Sequence, residues 1–178
     1  MAWCAGCSFT PSGSAGDGGG EAGAVIDAPI DARPCGAGYV DGFRYLATHG
    51  LWLDAERDCE GDGGHLAVLA TPAQRTAAIA AAQAASAEAA LWVGLVRDAN
   101  TVGPPWPWRW VDGTPVVEPL GWSGGQPDNG GDGTQYVIRM DRDSGQLYDR
   151  DYTDASLPAL CQCDGRAPVN ADYDPATP

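Results

Sequence analysis

The placement of the cysteines constrains this chain more than any other feature. Four of the six, Cys35, Cys59, Cys161 and Cys163, fall at the two ends of one long interior stretch, and the other two, Cys4 and Cys7, lie in the first seven residues. A zinc ribbon needs two close C-x-x-C knuckles, and the four interior thiols are too dispersed for that. Long-range disulfides in an exported protein account for them better, so the fold must bring the end of this stretch back to its beginning. Cys4 and Cys7 do form a C-x-x-C pair, but no strand or helix pattern surrounds them, and a redox role finds no support.

The 178 residues suffice for one ordinary domain and its tails. Residues 1–34 hold few large apolar side chains among Gly, Ala, Ser, Asp and Pro, so they cannot offset their ordering entropy and are expected to form a flexible stalk. Residues 165–178 have the same character and are expected to form a loose C-terminal tail. The domain proper is therefore expected over 35–164. Cys-Ala-Gly-Cys resembles the lipobox of bacterial lipoproteins, with Cys7 as the acylated residue. The basic and apolar signal segment that should precede it would then lie upstream of Met1. A formal charge of −14 argues against nucleic acid and anionic membrane surfaces as partners. No apolar run reaches the roughly 18 residues that span a bilayer, so contact with a membrane is expected only through such a lipid anchor.

Along the domain, GAGYVDGFRYLATHG alternates apolar and polar residues about Gly42 and suggests a short hairpin. In LWLDAERDCEGDGG, Leu51, Ala55, Asp58 and Cys59 share one helical face beside Trp52 and Glu56, and Gly61 to Gly64 end the helix. HLAVLAT is a short apolar run. Thr71 and Pro72 make an N-cap and first turn for the alanine-rich TPAQRTAAIAAAQAASAEA. LWVGLV reads as a buried strand, WRWVDGTPV as a strand with a turn at Asp112-Gly113, TQYVIRM and GQLYDRD as two joined strands, and LPALCQC as the last. Helices first and strands after imply an α+β fold. That order also decides GWSGG, which fits the G-x-S-x-G nucleophile elbow. An elbow needs a strand before its serine and a helix after it, whereas Ser123 lies between VVEPLGW and GGQP. The only histidines, His49 and His65, both precede it. No nucleophile set or acid/base pair stands out, and no catalysis is expected.

Five segments in order resemble the C-type lectin-like domains: WLDAERDCEGDGGHLA at Trp52 to Ala67, WVGL at Trp92 to Leu95, WRWVDGTP at Trp108 to Pro115, GQPDN at Gly125 to Asn129, and the closing LPALCQ. The resemblance covers about residues 35–163. It implies a double-loop fold with adjacent termini, two helices, two small antiparallel sheets and a long ligand-binding loop. It also implies a Cys59–Cys161 bridge, and loss of the family's second bridge at Tyr136 and about Thr153. If the first strand runs antiparallel to the last, Cys35 lies near Cys163, and an additional Cys35–Cys163 bridge is expected.

In sugar-binding relatives one Ca2+ is held by acceptors on both sides of a cis proline, by a later acid in the loop, and by an Asn-Asp pair on the next strand. Calcium takes six to eight oxygen ligands, and such a set suits it. Carried over, Gln126 and Asp128 flank Pro127, an order that in this family goes with galactose-type sugars. The later acid falls on Thr134, with Asp132 two residues away as a substitute. The strand pair falls on Tyr148 and Asp149, with Asp151 as a second source of a carboxylate. The expected metal ligands are Gln126, Asp128, Asp132, Asp149 and Asp151, and the expected sugar contacts are Gln126, Asp128, Asn129 and Trp122. Trp52, Trp92, Trp108 and Trp110 are expected in the core, with Trp106 as a second candidate to stack on a sugar. His65 is expected to be structural. Asp141 and Asp143 begin an EF-hand-like spacing that fails at its twelfth position, Tyr152. The whole implies a non-enzymatic carbohydrate-binding module, extracytoplasmic, either secreted or a cell-surface lipoprotein, with a glycan or glycoprotein partner. The alternative is a calcium-independent protein-binding domain.

Overall fold

The structure is a computed structural model, and it describes residues 34–85, 88–97, 107–117, 119–130, 133–153 and 156–166, without the side chain of His49. The expected stalk up to residue 33, Cys7 with the lipid attachment expected there, almost all of the C-terminal tail, Trp106 and Asp132 lie outside the described residues.

Among the described residues seven strands and two helices follow one another as β1 (Phe43–Gly50), α1 (Trp52–Gly61), β2 (His65–Leu66), α2 (Pro72–Ala85), β3 (Ala90–Arg97), β4 (Trp108–Trp110), β5 (Gln135–Asp141), β6 (Leu147–Asp151) and β7 (Leu157–Gln162). This is the α+β class read from the sequence. The two antiparallel groups are present: β1 and β2 flank β7, and β4 and β5 flank β3, with β6 on the far side of β5. They are not separate sheets, because a single parallel pairing, Trp92 opposite Ala159, joins β3 to β7. The result is one seven-stranded sheet. The last strand thus lies beside the first, as the cysteines require.

Both disulfides form, Cys35–Cys163 and Cys59–Cys161, with Cα separations of 5.8 and 5.5 Å. The second fastens α1 to β7 inside the core. Trp52, Trp92 and Trp110 are fully buried there with Leu66, Leu69, Leu91, Leu95 and Ile138. Two of these three buried indoles have a partner for their N–H. Trp52 Nε1 donates to Val93 O at 2.8 Å and Trp92 Nε1 to Gly50 O at 2.9 Å, so each ring also fixes a backbone segment. Trp108, expected in the core, is only partly buried and packs against it.

The two helices start for different reasons. Thr71 and Gln74 make a reciprocal capping box, Thr71 Oγ1 accepting from Gln74 N and Gln74 Oε1 accepting from Thr71 N, at 3.2 and 3.0 Å. No side chain caps α1, and tertiary packing fixes it: the buried carboxylate of Glu56 accepts from Leu66 N at 2.7 Å. The buried face of α1 is Trp52, Ala55, Glu56 and Cys59, whereas Leu51 and Asp58 are exposed. Those two were expected on that face. They differ because Leu51 is the N-cap residue, outside the helix, and Asp58 turns to solvent. The expected hairpin before α1 reduces to a tight Val40–Phe43 bridge leading into β1, since the arm before it is too short to be a strand.

Candidate functional site

The Gln126-Pro127 peptide is cis, as the resemblance implied. On either side of it the two acceptors are tied together, Gln126 Nε2 donating to Asp128 Oδ2 at 2.9 Å. The loop rests on β6. Asp149 is buried, and its carboxylate accepts from Asp128 N at 3.2 Å and from Asn129 N at 2.7 Å. Its own N–H donates to Gln126 Oε1 at 3.1 Å. Gln126, Asp128, Asn129 and Asp149, four of the residues singled out from the sequence, therefore meet in one cluster. Burial pushes the Asp149 carboxyl above the ordinary carboxylate range. The amides of Asn129 and Asp128 pull against that shift, and the neighbouring Asp128 charge adds to it. Asn129 takes the left-handed backbone region (φ 58°), which Asn tolerates better than other non-glycine residues. Its Oδ1 is buried with no hydrogen-bond partner.

Two of the positions where the resemblance expected ligands are otherwise occupied. Tyr148 lies under the guanidinium of Arg139, 4.3 Å from ring centre to Cζ. Thr134 hydrogen bonds to Asp151, whose carboxylate also accepts from Thr153 N and Oγ1 at 2.8 and 2.7 Å. Burial raises the Asp151 carboxyl, but these donors outweigh it and the net shift is downward. Asp128, Asp149 and Asp151 do not converge into a three-carboxylate cluster. Among the described residues only His65, Asp112 and Asp164 bring three such groups together. The Trp122 ring packs against the core and lies 5.3 Å from that of Trp108, the planes tilted by 53°.

The loop's return path depends on residues to which the sequence gave no role. Arg97, almost fully buried, donates through Nη2 to Gly133 O at 2.8 Å and lies over the ring of Tyr136 at 4.5 Å. Tyr136 and Tyr152 have ring centres 6.2 Å apart. The resemblance puts the missing second bridge at Tyr136 and about Thr153, so an aromatic contact stands one residue from that link. Nothing in the local sequence pairs an arginine at the end of β3 with a glycine in a distant loop.

The family model for the lectin C-type domain matches residues 49–163. C-type lectin domain family 4 member D of Homo sapiens is 35% identical over 85 residues, which is 47% of this chain and 36% of that protein, so the chain spans about a third of its length. Among solved structures, the C-type lectin CEL-I from Cucumaria echinata aligns with a TM-score of 0.58 at 22% identity, over 67% of this chain and 86% of that one. A mouse scavenger receptor C-type lectin carbohydrate-recognition domain aligns at 0.55 and 22%, over 67% and 84%. A calcium-independent type II antifreeze protein aligns at 0.57 and 23%, over 72% and 92%. At these identities the structural likenesses speak for the fold alone. Domains of this family with disulfides are typically extracellular or secreted, and the family and fold are those of binding modules. With its loop on β6, its buried tryptophans and the Cys59–Cys161 bridge in place, the chain belongs to the C-type lectin domain family.

Proposed function

We propose that the loop around Pro127 is a calcium-assisted site for the hydroxyl groups of a galactose-type glycan, on a non-catalytic domain displayed outside the cytoplasm. The observation that carries this reading is the cluster of Gln126, Asp128 and Asp149, in which buried Asp149 holds both flanking residues beside the cis proline, Asp128 through its carboxylate and Gln126 through its backbone N–H. The donor set suits calcium by type, being carboxylate and amide oxygen throughout. The orphaned Oδ1 of Asn129 is a further oxygen that the protein's own hydrogen bonds leave over. Gln126, Asp128, Asn129 and Asp149 would hold the ion, which would accept two sugar hydroxyls in place of water. The formal charge of −14 favours a cation here. Cys7 would carry the lipid that tethers the domain to a membrane.

A second reading, calcium-independent binding of a protein partner, draws on Tyr148 and Thr134. The arginine-stacked ring and the Asp151-bound hydroxyl stand where an Asn and an acid are expected. One experiment separates the two: retention of the chain on immobilised galactose and immobilised mannose, in calcium and in chelator. Retention on galactose that chelator releases, and that Gln126→Ala and Asp128→Ala lose, supports the first reading. No retention on either sugar, together with a thermal midpoint indifferent to calcium, transfers the assignment to protein binding.

A further inference from the structure

Away from the loop, on the side where the chain closes, His65, Asp112 and Asp164 bring one ligand atom each within 4.8 Å of the others. His65 opens β2, Asp112 lies in the turn after β4, and Asp164 follows the disulfide-bonded Cys163. The side chains of His65 and Asp112 are fully buried. The imidazole is held in one orientation. Its Nδ1 is 2.8 Å from Leu66 O, a carbonyl that can only accept, so the ring proton belongs on Nδ1. The neutral ring then presents the Nε2 lone pair to Asp164 Oδ1 at 3.3 Å, and a carboxylate is itself an acceptor. Two acceptors in that relation need a positive centre, either a second ring proton or a cation.

The positive charge now beside them is a guanidinium. Arg166 Nη1 donates to Asp112 Oδ2 at 2.6 Å and Arg166 Nε to Asp164 Oδ2 at 3.1 Å, so this side chain bridges the two carboxylates. The Arg166 side chain is 45% exposed, so it has room on its solvent side to turn outward. The carboxylates cannot, because Asp112 also accepts from Thr114 N and Oγ1, and Asp164 from Arg166 N and Gln162 Nε2.

We propose that His65, Asp112 and Asp164 form a zinc site, in which Zn2+ takes the place of the Arg166 guanidinium. An imidazole anchored through Nδ1 to a backbone carbonyl, with Nε2 turned toward carboxylates, is the arrangement by which proteins fix the tautomer of a metal ligand. One nitrogen and two carboxylate oxygens suit zinc, whereas calcium takes oxygen alone. The metal would fasten β2, the turn after β4 and the end of β7 at one point beside the Cys35–Cys163 bridge. This site shares no residue with the loop around Pro127, and its reading does not depend on that one.

The test is calorimetric titration of Zn2+ into the full-length chain carrying Cys4→Ser and Cys7→Ser, so that no free thiol competes. Saturable binding of one ion is expected. His65→Gln and Asp164→Asn should each weaken it by about tenfold or more. Arg166→Gln, which removes the competing cation, should tighten it several-fold, and Asp128→Asn in the other loop should leave it unchanged. Should His65→Gln fail to fold, judged by near-ultraviolet circular dichroism, Asp164, whose side chain is partly exposed, carries the comparison. Absence of saturable zinc binding overturns the proposal. So does binding that survives Asp164→Asn, that weakens in Arg166→Gln, or that is lost in Asp128→Asn.

Discussion

Asp149 is the residue on which the ligand loop depends, and its environment sets its behaviour with pH. The carboxyl is raised by burial, so between the ordinary carboxylate value and its own the folded state binds more protons than the unfolded chain. Stability from this group is therefore present at low pH and is lost as pH rises through the raised value. In chelator, Asp149→Asn should flatten that part of the profile, which denaturant midpoints from about pH 4 to about pH 7 would record. An unchanged profile would mean that the two amides of Asp128 and Asn129 offset the burial completely. The variant should also weaken calcium binding, since an amide supplies a poorer ligand. The four members of this cluster were legible in the sequence because Gln-Pro-Asp-Asn is contiguous and the strand after it carries the aspartate. The clamp itself was not, since nothing in a sequence says that Asp149 faces the loop's backbone amides. Arg97, Asp112 and Arg166 were hidden for the same reason: each acts on a residue from a distant element.

At the scale of elements, the helices and most strands could be read because their signals are local: a capping pair before α2, and a run of apolar residues for β3. The short apolar run after α1 shows the limit. Only His65 and Leu66 pair as a strand, while Ala67 N reaches Leu160 O at 2.8 Å and Val68 N reaches the side chain of Gln162 at 2.9 Å. This segment runs beside β7, meets β3 where Gly94 N donates to Ala67 O, and then leaves the sheet, a path that alternation of residues cannot encode. Gly94, inside β3, records how close that approach is. A Cβ added there would lie 2.5 Å from Leu66 O and 2.7 Å from Val111 Cγ2. Backbone meets it on one side and a core side chain on the other, so the strand cannot yield to one without pressing the other. Gly94→Ala should therefore destabilise the domain by about 1–3 kcal/mol, against the usual gain from replacing a strand glycine. Urea midpoints would measure it. A neutral outcome would show that β2 can withdraw from β3.

At the scale of the whole molecule, the two disulfides close loops of similar length, with sequence separations of 128 and 102. In the chain-entropy model they differ by only about 0.2 kcal/mol and each contributes about 5 kcal/mol. Their surroundings differ far more. Cys59 and Cys161 are fully buried between α1 and β7, so a reductant reaches them only when the core opens. Cys35 is exposed at the start of an arm, residues 34–42, that lies outside the strands and helices and is held by a few contacts, among them Gly36 N to Asp62 O at 2.8 Å and the Tyr39 ring beneath the Arg44 guanidinium. Local opening of such an arm costs far less than global unfolding. Mild reductant should therefore open Cys35–Cys163 first, leaving a folded domain whose Cys59 and Cys161 resist alkylation until denaturant is added. Mass spectrometry of alkylated peptides over time distinguishes the two bonds. Equal labelling of all four cysteines would mean that the arm and the core open as one unit. Selective labelling would mean that the Cys59–Cys161 bond, together with the packed tryptophans, is enough to hold the first helix against the last strand.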